Sequence, residues 1–208
     1  MFNEKFIMRK FIYVLFISVV FSSASFAEAR IPTERAIFAG GCFWCMEPPF
    51  EKLDGVISAV SGYIGGKEKN PEYKQVARGL TGHTEAVEIT FDPAKVSYAK
   101  LLEVFWRQVD PTVNDRQFVD TGRQYRPGIF YIDEQQKRQA LKSKQATEAL
   151  GLHGKPFKLE ITQATTFWPA EEYHQDYYKK SPIRYNFYRF NSGRDQYLKR
   201  IWGDQYEK

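Results

Sequence analysis

Cysteine is scarce in this 208-residue chain, with only Cys42 and Cys45, so it is not a disulfide-dense scaffold, and a chain long enough to bury a sizeable core needs none. Histidine is nearly as rare, at three. Glu171 and His174 stand at the i, i+3 spacing of di-iron helices, but such centres draw several copies from other helices, so no metal is expected. A large excess of one charge is lacking too. Thirty Lys and Arg against 25 Asp and Glu leave a formal +5; Lys5, Arg9 and Lys10 against Glu4 put two of these in the first 27 residues. The remaining +3 is too mild for a nucleic-acid surface. No apolar run reaches the roughly 18 residues that span a bilayer. With 43% hydrophobic and 26% charged residues, disorder, collagen and a multi-spanning membrane protein are also excluded.

What is present begins with an address. Residues 1–10 are basic, 11–21 are apolar and aromatic apart from Ser18, and Ser22, Ser23, Ala24, Ser25 and Ala27 supply the small residues of a cleavage site. This three-part pattern predicts a secretory signal peptide over 1–27 and a single catalytic domain over 28–208. No cysteine near Ala27 offers a lipid-anchor site. The mature chain is expected to be a monomer secreted across the inner membrane into the periplasm, where thiols tend to be oxidised.

Along that domain, Arg35–Ala39 reads as a buried strand ending at Gly40-Gly41, and a helix opens near Cys42. Pro48-Pro49 should kink or restart this helix before Phe50. Alternation predicts strands at Val56–Tyr63, Glu85–Phe91 and Gly128–Ile132, with a further one at Phe157–Ile161. Helical spacing and cap residues predict helices over Tyr98–Val109, after Ser97, and over 133–150, starting at Asp133. A last helix is expected over Ala170–Tyr178. The basic and aromatic stretch from Lys179 to Arg200 reads as a solvated tail wrapped over the core. The order of elements is that of an α+β, two-layer split βαβ (ferredoxin-like) plait with a mixed sheet and helices on one face. Two connections, Ile64–Thr84 and Asp110–Pro127, are longer than structural loops usually are, which points to function. They contain Tyr73, His83, Asp120 and Tyr125, so the expected site joins these loops to the Cys42 turn.

Cys42 stands where a strand stops and a helix starts, and free N–H groups with the positive end of the helix dipole should favour its thiolate. Cys45 lies one turn on. In an ideal helix the two Cβ atoms are about 5–6 Å apart, farther than a relaxed disulfide prefers. Oxidation should therefore distort the first turn, which suits a cycling redox pair better than a permanent staple. Phe43 and Trp44 offer either an apolar pocket for a small group or ordinary core aromatics. Glu85 is either a partly buried acid with a raised pKa or a solvated strand-end residue. Tyr73, Asp120 and Tyr125 supply hydroxyl and carboxylate groups for a polar oxygen.

Taken together, Gly40-Gly41-Cys42-Phe43-Trp44-Cys45-Met46-Glu47, Ser61-Gly62-Tyr63-Ile64-Gly65-Gly66, Asn70-Pro71-Glu72-Tyr73, Gly82-His83-Thr84-Glu85-Ala86-Val87, Asp120-Thr121-Gly122-Arg123-Gln124-Tyr125-Arg126 and Glu172-Tyr173-His174-Gln175 resemble the A-type peptide methionine sulfoxide reductase family. The resemblance runs from about Arg35 to Phe190. It implies that Cys42 attacks the sulfoxide sulfur, leaving a sulfenic acid and methionine. Phe43 and Trp44 would receive the substrate methyl. Glu85 would protonate the sulfoxide oxygen, with Tyr73 and Tyr125 donating hydrogen bonds and Asp120 shaping the site. The family acts on the S epimer in proteins, uses no cofactor and is recycled by a thioredoxin-like reductant. Many relatives resolve the sulfenic acid with a cysteine near the carboxyl terminus. This chain has none after Cys45, which makes Cys45 the internal candidate for resolving thiol. Two other readings compete: a secreted dithiol-disulfide oxidoreductase using the Cys42/Cys45 pair, and a binding module with a permanent staple. An accessible, reactive thiol separates either enzyme from the module.

Overall fold

Residues 32–206 are described by the structure, a computed structural model; the leader expected at 1–27 lies outside them. Strand β1 (Glu34–Ala39) turns Ala36 and Phe38 to one face and Ile37 and Ala39 to the other, and all four are buried. Such alternation is intrinsic to a strand. It means the sheet is covered on both sides. Helix α1 (Phe43–Glu51) leads to β2 (Val56–Ile64), and α2 (Tyr73–Ala77) lies in the long connection to β3 (Thr84–Phe91). Helix α3 (Tyr98–Trp106), a small hairpin of β4 (Arg116–Gln117) and β5 (Asp120–Thr121), and β6 (Gly128–Tyr131) follow. Then come α4 (Glu134–Ala149), β7 (Glu160–Gln163), β8 (Trp168–Pro169), α5 (Tyr177–Lys180), α6 (Pro182–Asn191) and α7 (Arg194–Trp202).

The strand order is β7-β6-β1-β3-β2-β8. Its central four, β6-β1-β3-β2, pair antiparallel, and β7 adds to β6 in parallel. This is the split βαβ plait with a mixed sheet. On the helix face, Phe38 packs against Phe50 of α1 and Phe105 of α3 with ring centroids 5.3 and 5.1 Å apart. Val87, Ile89 and Phe91 join the same cluster. Glu85, two residues before Val87, must share their face. The opposite face is a smaller cluster of Ile37, Ala39, Ile64, Ala86 and Phe130, covered by Ala164 and Phe167. Ser97 and Asp133 cap α3 and α4 as expected, each side chain accepting from the backbone N–H three residues on. Among the described residues, no helix is long and apolar enough to cross a membrane.

Four expectations need correction. Helix α1 runs unbroken through Pro48 and Pro49. Those prolines cannot donate to the carbonyls of Trp44 and Cys45, and the Cys45 carbonyl instead accepts from Arg189 Nη1 at 3.1 Å. The fifth sheet strand starts at Glu160 rather than Phe157, because Phe157 N–H goes to Glu148 Oε1 (2.7 Å) and the N–H groups of Lys158 and Leu159 go to the Pro111 carbonyl. The side chains of Phe157 and Leu159 are buried all the same, which is the source of the strand-like pattern. Ala170–Tyr178 is not one helix: a single 3-10 turn at Glu172–His174 is followed by Asp176 in the left-handed region at φ 53°. Finally, the tail is solvated only in part: α6 has no buried residue, whereas Arg194 and Leu198 of α7 are buried and Leu198 belongs to the main core.

Candidate active site

Gly41 makes the turn that presents Cys42. Its φ is +81°, and a Cβ there would stand 2.6 Å from the Cβ of Gln117, so glycine is required on both counts. Cys42 is the N-cap of α1, with φ −50° and ψ 119°. It therefore lies outside the helix, and the ideal-helix separation from Cys45 does not apply. Its thiol interacts with that of Cys45, and both cysteines are free and buried.

Beneath this turn lies Glu85, only 1% exposed, which rules out a solvated strand end. Its Oε2 accepts from the Phe43 N–H at 3.0 Å, one of the donors a helix start leaves unpaired. Burial pushes the Glu85 carboxyl up to about 8, aided by the negative charge of Asp120 and Cys45 and opposed by that Phe43 bond. A carboxyl in this state is protonated at neutral pH and can act as an acid.

Asp120 comes from the β4–β5 hairpin, which Gln117 holds by bonding both the N–H (2.9 Å) and the carbonyl (2.7 Å) of Asp110. Its carboxylate accepts from Tyr188 Oη and from the Cys42 N–H. Burial raises its pKa, while Tyr188, Arg194 and the Cys42 amide draw it down. Tyr125 sits in a 3-10 turn docked on β3 through Thr84 Oγ1, which donates to the Gln124 and Arg126 carbonyls. Gln124 Nε2 in turn donates to the Ala77 carbonyl of α2 at 3.0 Å. Tyr73 starts that helix, its N–H given to Glu171 Oε1 at 2.9 Å. Both tyrosines are held above the ordinary phenol range by burial and by the charges of Glu85, Cys42 and Asp120. Cys42, Cys45, Glu85, Asp120, Tyr73 and Tyr125 thus share one pocket.

The helix dipole does not win at Cys42. Burial first, then its interaction with Cys45 and the carboxylates of Glu85 and Asp120, push its pKa well above the ordinary thiol value. Cys45 moves the other way: burial opposes its ionisation, but the interaction with Cys42 and the guanidiniums of Arg194 and Arg189 prevail. The resting pair therefore keeps its proton on Cys42.

Phe43 is wholly buried yet faces Tyr73 and His174, at 6.4 and 5.1 Å between centroids. Trp44 is half-buried and stacks on Tyr177 at 3.8 Å. Its Nε1–H donates to His174 Nδ1 at 3.0 Å. An indole nitrogen only donates, so His174 accepts there and carries its own hydrogen on Nε2. Burial draws the His174 pKa down to about 4 and keeps the ring neutral. His83, in contrast, is a loop anchor: its Nδ1 accepts from Gly66 N–H and its Nε2 donates to the Glu68 carbonyl.

Sequence reasoning missed the bonds by which Glu47 and the segment after β8 enclose the site. Glu171 ties Tyr63 Oη (2.8 Å) to the Tyr73 N–H, so it is not paired with His174 as a metal ligand. Glu47 accepts from Ser61 Oγ and from the Asp176 N–H, both at 2.7 Å. Gln175 bonds the N–H and the carbonyl of Ser61. Tyr177, Tyr188, Arg189 and Arg194 complete the walls. The motif Glu172-Tyr173-His174-Gln175 was the available signal for His174 and Gln175.

Comparison with known proteins agrees with this geometry. The family described as Peptide methionine sulfoxide reductase matches residues 34–206. A Peptide methionine sulfoxide reductase MsrA of Listeria innocua is 56% identical over 169 residues, covering 81% of this chain and 96% of the relative. A Peptide methionine sulfoxide reductase MsrA/MsrB of Vibrio cholerae is 52% identical over 170 residues, which is 82% of this chain but 45% of that longer protein. Among solved structures, methionine sulfoxide reductase A of Corynebacterium diphtheriae superposes with a TM-score of 0.67 at 33% identity, over 73% of this chain and 76% of that one. Reduced Mxr1 of Saccharomyces cerevisiae gives 0.68 at 30% identity, over 73% and 87%. On its sequence, its fold and the family match, this chain belongs to the peptide methionine sulfoxide reductase family.

Proposed function

We propose that the chain carries out its family's reaction, reduction of methionine sulfoxide in proteins, on the S epimer, with Cys42 as nucleophile and Cys45 as resolving thiol. The observation that carries this reading is a wholly buried Glu85 carboxyl, bonded to the Phe43 N–H at 3.0 Å and kept neutral by burial, at the same helix start as the Cys42/Cys45 thiol pair. A sulfoxide is a poor electrophile until its oxygen is protonated. Glu85 gives its proton to that oxygen as the Cys42 sulfur attacks the sulfoxide sulfur, and the Cys42 thiol proton passes to the Cys45 sulfur it already faces. The oxygen leaves with Cys42 as a sulfenic acid, and methionine departs reduced.

Tyr73 and Tyr125 keep their protons at any ordinary pH and so remain donors to the sulfoxide oxygen. Asp120 positions Cys42 through its backbone N–H. Phe43 and Trp44 supply apolar surface for the methyl, the indole being held at one edge by His174 and on one face by Tyr177. Cys45 then displaces the hydroxyl from Cys42, and a thioredoxin-like dithiol protein reduces the resulting disulfide. The dithiol-disulfide alternative is not favoured, since the oxyanion-binding groups around Cys42 have no part in simple disulfide exchange. We further propose that residues 1–27 direct export to the periplasm and that the mature chain begins at Glu28 and acts as a monomer.

The test is turnover on peptides carrying the S or the R sulfoxide, driven by dithiothreitol or by thioredoxin. Methionine from the S peptide alone, with thioredoxin-driven turnover abolished in Cys45→Ser, is expected. Equal use of both epimers, or undiminished thioredoxin-driven turnover in that variant, contradicts the reading. Amino-terminal sequencing of the exported chain checks the leader.

A further inference from the structure

Two arginines of the tail, Arg194 buried and Arg189 partly so, converge on the turn that holds Cys45. Pro49 leaves the Cys45 carbonyl without a helical N–H, and Arg189 Nη1 takes its place at 3.1 Å. The Arg189 guanidinium is fixed on its other sides by Asp195 Oδ1 at 2.7 Å, Tyr206 Oη at 2.8 Å and Gln108 Oε1 at 3.3 Å. Arg194, 1% exposed, donates to the Gly40 and Gln108 carbonyls at 2.8 and 2.6 Å. No carboxylate pairs with it among the described residues. Its remaining contacts are the Met46 sulfur at 3.5 Å and the Phe118 ring, and a buried cation with no paired carboxylate is costly and favours an anion nearby.

The other charged and titratable groups facing the thiol pair are Glu85 from β3, Asp120 from β5, Tyr73 from α2, Tyr125 from the 3-10 turn after β5, and Tyr185 and Tyr188 from α6. Asp195 of α7 is engaged by Arg189 and by Tyr206 Oη. The carboxylates oppose charge on Cys42, whereas the guanidiniums favour it on Cys45. The field across the pair therefore favours ionisation of Cys45 over that of Cys42, which is the ionisation the second half-reaction needs before attack.

We propose that Arg189 is a positioning residue for that half-reaction: seated on the Cys45 turn with Arg194 beside it, it lets the Cys45 sulfur attack Cys42 as a thiolate. The inference rests on the reading of Cys45 as resolving thiol. In the step, the Cys45 thiolate attacks the Cys42 sulfur, the S–S bond forms as the S–O bond breaks, and the departing hydroxyl takes up the proton Cys45 released and leaves as water. Cys42 sulfur is reduced and Cys45 sulfur is oxidised, so no further reductant enters.

The experiment follows disulfide formation after mixing the reduced full chain with one equivalent of S sulfoxide peptide, quenching with an alkylating agent, from about pH 5 to pH 9. Thiolate fraction controls the rate below the thiol pKa, while a more basic thiolate is the better nucleophile once formed. Arg189→Gln is therefore expected to move the midpoint up by about one pH unit, to slow the acid limb about tenfold, and to leave the alkaline plateau as high as in the wild type or higher. Arg189→Lys, which keeps the charge, should hold the midpoint within about half a unit. Tyr206→Phe, which loosens the clamp without altering charge, should hold it too.

A loss in Arg189→Gln that is the same at every pH, or an equal shift in Tyr206→Phe, overturns the proposal. If Arg189→Gln does not fold, a full-unit displacement in Arg189→Lys does the same. Wild-type protein that releases methionine but never forms the disulfide overturns the Cys45 reading beneath it. A disulfide that forms with one pH profile in wild type and Arg189→Gln overturns only the role of Arg189.

Discussion

Glu85 is held neutral by burial even though it accepts a helix-start N–H, and the balance between those two effects sets a pH window. Its folded pKa of about 8 lies above the ordinary carboxyl value, so the folded state binds the extra proton between the two. Stability from this group is accordingly greatest below the unfolded pKa and is lost as pH rises through the folded one. Activity needs the same proton, so methionine release should fall as pH rises through about 8. Glu85→Gln is expected to lower the rate by about two to four powers of ten and to flatten the loss of stability between about pH 5 and pH 9. Single-turnover kinetics and denaturant titrations at both ends of the range check the pair. Near-normal turnover would remove Glu85 from the chemistry. The type of residue was legible from its place at the head of an alternating strand, but its burial was not, because Phe43 and the tail that enclose it are remote in sequence. The same holds at Cys42, where the helix start was readable and the opposing carboxylates were not.

At the scale of elements, α1 shows how a local rule is overridden. Two prolines inside a nine-residue helix ought to break it, yet Phe43, Met46 and Phe50 are fully buried, and Arg189 replaces one lost backbone bond. Pro49→Ala restores an N–H that competes for the Cys45 carbonyl and tightens the first turn. The expected result is slower Cys42–Cys45 disulfide formation, by about fivefold if one net hydrogen bond of about 1 kcal/mol must be broken. An unchanged or faster rate in the alkylation assay contradicts this. Strands β1 to β3 and helices α3 and α4 were legible because alternation, caps and helical spacing agree there. The segment after β8 was not. Its turns are set by side chains of distant elements: Glu47 on the Asp176 N–H, and Gln175 on the edge of β2 at Ser61.

Across the whole molecule, the order of elements in the sequence was enough for the four-stranded plait, and the two long connections pointed to Tyr73, Asp120 and Tyr125, which the structure brings near the Cys42 turn. It did not foretell that the basic, aromatic tail closes the site and joins the core. Leu198, within that tail, is fully buried. Leu198→Ala should cost about 2–5 kcal/mol of stability, read by denaturant unfolding, and should lower activity in parallel by loosening the α6–α7 wall; a loss under about 0.5 kcal/mol would mean the tail is not part of the cooperative fold. The central claim is that Cys42 takes the oxygen and Cys45 removes it. One equivalent of S sulfoxide peptide mixed with reduced protein, with methionine counted per chain and the cysteines read by mass, tests it most directly. Wild type should yield one methionine and a Cys42–Cys45 disulfide; Cys45→Ser should yield one methionine, more slowly, with one added oxygen on Cys42; Cys42→Ser should yield none. Methionine from Cys42→Ser, or a wild-type chain left with both thiols free after release, would contradict the account.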